Sequence, residues 1–196
     1  NWQFFLNSAT GFTSSDSRVV VAREAREILP AAYGADRGAM WKPLPRLWFN
    51  TAPWYLFRGQ EFVYVGDAGI VEPSGKTRRY GLDFGIRYQV TNSLFFDSDV
   101  NYTIARAIDE PEGADYIPLA PDLTATGGLS FQPSSGFSGG IRYRYIKDRP
   151  ANEDGSITAE GYFVVDGNVN YTIKNLTFSI IGENLLDTEW NEAQFA

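Results

Sequence analysis

The sequence predicts an all-β chain: an antiparallel up-and-down meander of about nine strands forming a sector of a large transmembrane β-barrel, short turns at one end and long loops at the other. Three observations carry the meander and its place in a membrane. Apolar and polar residues alternate over strand-length stretches. Tight-turn sequences and long polar connectors alternate between those stretches. Aromatic residues gather toward the ends of the apolar faces.

The clearest strand is "YGLDFGIRYQV", in which Tyr80, Leu82, Phe84, Ile86, Tyr88 and Val90 oppose Gly81, Asp83, Gly85, Arg87 and Gln89. Leu94, Phe96, Val100, Tyr102 and Ile104 share the apolar parity of the next strand, against Asp97, Asp99, Asn101 and Thr103. The pattern returns with Leu123, Ala125, Leu129 and Phe131, then with Phe137, Ile141, Tyr143 and Tyr145 set against Arg142 and Arg144. Phe163, Val165, Val169, Tyr171 and Ile173 oppose Asp166, Asn168 and Asn170, and Leu176, Phe178 and Ile180 complete the series. Segments around 2–12, 35–42 and 47–65 are strands with less regular alternation. "REAREIL" at 23–29 is compatible with one or two helical turns inside a loop.

"TNS", "PSSG" and "KN" are tight-turn sequences. The remaining connectors, 13–33, 66–76, 107–121 and 147–160, are long and polar. Strict alternation of the two kinds puts every short turn at one end of the meander.

The polar face is Gly, Ser, Thr, Asn, Asp and Arg rather than the Lys and Glu of a solvated sandwich surface. On the apolar face, rings flank aliphatic residues, as at a bilayer interface. The side chains expected to meet lipid are Tyr80, Leu82, Phe84, Ile86 and Tyr88, then Val100, Tyr102, Ile141, Tyr143, Val165 and Val169. A stretch such as 80–90 is long enough to span a bilayer when tilted, and closure into a barrel removes the edges that lipid forbids. The competing architecture is a soluble β-sandwich or lipocalin-like binding domain.

Composition removes other classes. A net charge of −7 without a basic block argues against a nucleic-acid partner. Zero Cys excludes disulfides and thiolate metal sites, and zero His removes the commonest catalytic base and zinc ligand. No run of about 18 apolar residues offers a transmembrane helix. The chain opens at Asn1 in strand-like sequence, as part of a longer or processed polypeptide would.

Several segments together resemble TonB-dependent outer-membrane receptors. "IGENLLDTEWNEAQF" (181–195) is similar to the run near the C-terminus of those barrels. "FVYVGDAGIVEPSGKTRRYGLDF" (62–84) resembles a loop leading into a strand with glycine and an acidic residue. "YIPLAPDLTATGGLSF" (116–131) resembles the recurrent P-L-x-P entry to a strand, and "RYRYIKDRPANEDGSITAEGYFVVD" (142–166) completes the set. The resemblance implies a barrel of about 22 strands around an N-terminal plug. It further implies a Gram-negative outer membrane and import energised by the inner-membrane TonB complex acting through that plug. The ligand would be a scarce small molecule or iron chelate, such as a ferric siderophore, haem or cobalamin. Residues 1–196 carry no plug and no TonB box, and Ala196 precedes the aromatic-ended final strand of the family pattern. The expectation is therefore a C-terminal portion of the barrel. A passive porin would have the same strands without a plug.

On the polar face, the turn centred on Asn92 sets Arg87 opposite Asp97 and Gly85 opposite Asp99. The turn at Lys174–Asn175 sets Asp166 opposite Glu183, an unfavourable like-charge pair. Symmetric closure of the 149–160 loop brings Arg144 beside Asp166 with Arg142 one step along. The result is an expected lumen cluster of Arg142, Arg144, Asp166 and Glu183, with Arg87 and Asp97 nearby. Such a ladder lines the barrel and contacts the plug, or takes part in ligand binding or plug release. The acidic loops 109–115 and 148–155 lack the D-x-D-x-D-G order of a calcium loop and are expected to be solvated surface. Asp97 and Asp99 resemble a glycosidase pair only in number, since the repeating polar face explains them. No catalytic residues and no cofactor are expected; an outer-membrane hydrolase is a poor alternative without His in this span.

Overall fold

A computed structural model describes residues 1–12, 30–60, 62–65, 70–73 and 75–191. Nine strands form one antiparallel sheet: β1 (Trp2–Phe12), β2 (Ala31–Leu44), β3 (Leu47–Arg58), β6 (Thr77–Gln89), β7 (Leu94–Ala107), β8 (Leu123–Phe131), β9 (Phe137–Ile146), β12 (Tyr162–Ile173) and β13 (Leu176–Gly182). Each pairs with its neighbours in sequence order, so the sheet is an open meander. Two further ribbons sit in the long connectors: β4 (Phe62–Val65) with β5 (Ile70–Pro73), and β10 (Arg149–Pro150) with β11 (Thr158–Ala159). The described residues contain no helix. The "REAREIL" segment lies outside them.

The turns follow from local chemistry. Thr91 Oγ1 accepts from the backbone N–H groups of Ser93 and Leu94, closing the β6–β7 turn. Between β12 and β13, Lys174 takes φ 54°, the left-handed conformation that a two-residue hairpin needs. In "IPLAP", Pro118 precedes Leu119 at φ 60°, and the Ala120 N–H closes onto the Ile117 carbonyl at 3.1 Å. That is type II turn geometry, with leucine where glycine is usual.

Two boundaries differ from expectation. β2 starts at Ala31, inside the predicted 13–33 connector. β3 stops at Arg58 rather than running to 65, because its partner β2 ends there: Ala32 faces Arg58, and Gly59 N–H closes onto the Ala31 carbonyl. With no neighbour to continue the ladder, 62–65 pairs with 70–73 instead.

Most of the sheet has no covered core. The buried side chains, among them Ala105, Ile117, Ala151, Ala159, Tyr162 and Val164, gather at the loop end. There the 108–122 and 147–161 connectors bind one another, through Tyr116 N–H to the Glu153 carbonyl and Leu119 N–H to the Pro150 carbonyl. These loops are therefore not simply solvated surface. Glu110, Glu112, Asp148 and Asp154 are exposed, but Arg149 and Ala151 are buried beneath them. Among the described residues no group of three carboxylates is placed to hold a cation.

Candidate functional site

The polar face of the sheet carries the chemistry. In β6–β7 the register is the one the Asn92 turn predicts, Arg87 facing Asp97 and Gly85 facing Asp99. The ion pairs formed are diagonal and reach across strands. Arg87 Nη2 meets Asp99 Oδ2 at 2.8 Å, and Arg142 Nη1 meets Asp97 Oδ1 at 2.6 Å. Gly128 makes the second bridge possible: it lies between Asp97 and Arg142 in the register, and the Arg142 stem occupies the place of its missing side chain.

The expected cluster around Asp166 forms in altered register. Asp166 faces Arg142, not Arg144, and Arg144 approaches it diagonally, Nη2 to Oδ2 at 3.6 Å. The 147–161 loop does close symmetrically, but about residue 154 rather than 155: its ribbon, Arg149 facing Ala159 and Pro150 facing Thr158, continues the Arg142–Asp166 register, and a centre one residue off moves the pairing by two. Glu183 is exposed and has no partner in the cluster. β13 ends at Gly182, so the Asp166–Glu183 confrontation is replaced by a bond from Asn184 N–H to Asp166 Oδ1 at 2.9 Å.

Sequence reasoning missed the turn beyond that strand end. Asn184, at φ 49°, donates from Nδ2 to the Thr188 carbonyl and accepts the Thr188 N–H on Oδ1, both at 3.0 Å. One side-chain amide thus mimics a strand neighbour. The turn carries Trp190 back over the polar face, against the Tyr162 ring at 4.9 Å and under the Arg144 guanidinium at 5.5 Å. Only the "NLLDT" spelling hinted at this.

A second overlooked feature is an open recess of about 610 Å3 lined by Phe5, Asp36, Asn50, Ala52, Trp54, Asp83 and Asn101. Asp83 anchors it, accepting from Trp54 Nε1 at 3.2 Å and from Asn101 Nδ2. Its signal was the pairing of glycines with large neighbours: Phe5 covers Gly38 and Trp54 covers Gly81.

The opposite face is apolar. Tyr80, Leu82, Phe84, Tyr102, Ile141 and Val169 are exposed on it, while Ile86, Tyr88, Val100, Tyr143 and Val165 are intermediate. A ladder of rings, Trp2, Trp41, Phe49 and Phe84, runs across four strands at centroid spacings of 5.3, 5.6 and 6.0 Å. Tyr143 crosses Gly127 to share a 2.6 Å hydrogen bond with Ser98.

The receptor Fiu from E. coli K12 (closed form), a ferric-catecholate import receptor, superposes with TM-score 0.73 at 21% identity, over 98% of this chain and 30% of its own. The siderophore receptor PiuA from Acinetobacter baumannii gives TM-score 0.76 at 14% identity, over 100% and 31%. The iron transporter FrpB from Neisseria meningitidis gives 0.71 at 14%, over 100% and 34%. At these identities the likeness is one of fold, and the chain spans about a third of each solved receptor. No curated protein matches. The family profile described as TonB dependent receptor-like, beta-barrel matches residues 33–185, and with most of the meander inside that match the chain belongs to the TonB-dependent receptor β-barrel family.

Proposed function

We propose that this chain is the C-terminal part of the barrel wall of an outer-membrane receptor that imports a scarce ligand, such as a ferric siderophore, haem or cobalamin, with energy from the TonB complex. The observation that carries the reading is the two-faced meander: rings and aliphatic side chains on one face, a ladder of Arg–Asp pairs on the other. In this reading the apolar face meets lipid. The cluster of Arg87, Asp97, Arg142, Arg144 and Asp166 lines the lumen against a plug contributed by the rest of the receptor, and the connectors at the loop end face the exterior. Neutralised pairs suit a wall that must bind and release a moving plug, because no charge is left buried when the contact breaks.

The test is uptake of labelled ferric siderophores, haem and cobalamin by cells whose receptor contains this chain, with and without a functional TonB system. Uptake of one of them, lost without TonB, is expected. Uptake of small hydrophilic solutes indifferent to TonB would replace the receptor by a passive porin.

A further inference from the structure

The apolar face carries three charged side chains on its described strands: Arg37, Arg78 and Arg106. Their surroundings differ. Arg106 is neutralised, with Asp115 at 3.5 Å and the Tyr116 ring under its guanidinium at 4.4 Å. Arg78 directly faces Arg106 across the β6–β7 ladder, yet it is exposed and has no ionic or hydrogen-bonding partner among the described residues. Arg37 is likewise exposed and unpartnered among the described residues, and no described strand turns a carboxylate to this face. The β2–β3 pairing skips residues 37 and 38 between Asp36–Trp54 and Ala39–Thr51 without a change of register; Arg37 there stands opposite Pro53, which has no N–H to give.

Counting from the short-turn ends fixes the heights. Tyr55 is eight residues from Leu47 (55 − 47), Tyr80 nine from Gln89 (89 − 80) and Tyr102 eight from Leu94 (102 − 94), so these rings form a row. Arg37 is seven residues from Leu44 (44 − 37), one or two below that row; Arg78 is eleven from Gln89 (89 − 78), just above it. Two strands and four residues separate the two arginines, about 17 Å between Cα atoms. Tyr55 and Tyr80, both exposed, lie between them.

We propose that Arg37 and Arg78, bracketing Tyr55 and Tyr80, form a surface site for a phosphate-bearing lipid headgroup of the outer leaflet. A tyrosine row marks the edge of an apolar band. An arginine just inside that edge extends its stem along the apolar surface and lifts its guanidinium to the headgroup level, and one just outside is already there. Guanidinium forks match phosphate oxygens in two-point geometry, and the tyrosine hydroxyls supply further donors at the same height. A second copy docked by the same face would set Arg37 against like charge, so it does not supply the missing anion.

The site rests on the reading that this face meets the bilayer, and the experiment separates the two. The complete receptor containing this chain is placed in phosphatidylcholine vesicles doped with bisphosphorylated lipid A or with the same lipid A after dephosphorylation, and co-purified lipid is weighed by native mass spectrometry. Preferential retention of the phosphorylated form is expected. It should fall about fivefold in Arg37→Leu or Arg78→Leu and about thirtyfold in the double variant, and be largely kept in Arg37→Lys/Arg78→Lys. Equal retention of both lipids, or no loss in the double variant, overturns the site. So does a photo-cross-link from position 37 that lands on protein rather than lipid. A spin label at Ile141→Cys reports on the underlying reading: an oxygen-accessible label without lipid preference sinks the site alone, and a water-accessible one sinks both.

Discussion

Val164 and Val169 lie five residues apart on the same strand, and their surroundings could hardly differ more. Val164 is 1% exposed beneath the folded loops; Val169 is 58% exposed on the bare apolar face. At the loop end the chain behaves like a small soluble protein, with apolar side chains covered from both sides. Along the open wall most described residues have cross-strand neighbours but no second layer over them, so backbone ladders, ring stacks and ion pairs do the holding. One strand thus passes through two regimes of stabilisation. The solvent that completes the second regime lies outside the chain.

Identical substitutions at these valines give the largest contrast. Val164→Asp buries an unpaired carboxylate and should cost about 3–5 kcal/mol in urea unfolding, enough to abolish refolding. Val169→Asp in detergent micelles should cost less than about 2 kcal/mol. Comparable losses at both sites would erase the distinction between cap and wall. Within the wall, glycine contacts sharpen the comparison further. A side chain at Gly128 would meet the Ile141 carbonyl, which is backbone and cannot yield, whereas one at Gly34 finds Leu56 Cδ1 at 3.6 Å, ordinary contact. Gly128→Val should therefore cost about 2–3 kcal/mol and release the Arg142–Asp97 pair, while Gly34→Ala stays within about 0.5 kcal/mol.

The wall was far more legible than the cap, for a physical reason. Side-chain alternation is a local property of each strand, and a two- or three-residue turn fixes its own register. Arg87–Asp97 and Gly85–Asp99 could therefore be paired from "TNS" alone. Arg144 and Asp166 are joined through a 15-residue connector with no short turn to mark its centre, so taking that centre as 155 instead of 154 missed the pairing by two. The stop of β3 at Arg58 was illegible for a different reason, since it depends on a contact remote in sequence, where β2 ends. Trp190 escaped notice because its position depends on one amide side chain bonding both backbone groups of Thr188.

That amide offers a middle-sized test. Asn184→Ala removes two bonds to Thr188 and disfavours the φ of 49°, for an expected loss of about 1–2 kcal/mol. The chain contains five Trp, so the readout is the difference spectrum against Trp190→Phe, in which the Trp190 emission should shift toward that of an exposed indole. An unchanged Trp190 signal would mean that the stack on Tyr162 and Arg144 holds the segment by itself. A smaller effect is expected from the Arg142–Asp97 pair, whose side chains are 50% and 24% exposed. A double-mutant cycle with Arg142→Met and Asp97→Asn should return a coupling of about 0.5–1 kcal/mol, reduced by salt.

The smallest effect belongs to the tip of the 147–161 loop, where cap gives way to solvent. The Ser156 backbone N–H donates to Asp154 Oδ1 at 2.9 Å, and the Ser156 hydroxyl adds to it, holding the Asp154 carboxyl below its ordinary range. Asn152 completes the turn, with Nδ2 to Ser156 Oγ at 2.8 Å and Oδ1 receiving Ile157 N–H at 3.0 Å. A carboxyl whose folded pKa is depressed binds its proton more readily when the turn is open. Its stabilisation is thus complete above the ordinary aspartate value and disappears as pH falls through the lower folded value. Hydrogen exchange at the Ser156 amide, corrected for intrinsic rates, should be flat from neutral pH to about pH 4 and accelerate only below it. Asp154→Asn should remove that step while leaving Ala151 and Val164 as protected as before. A step at or above the ordinary aspartate pKa, or one that spreads to Ala151, would mean that the tip and the packed cap open as one unit.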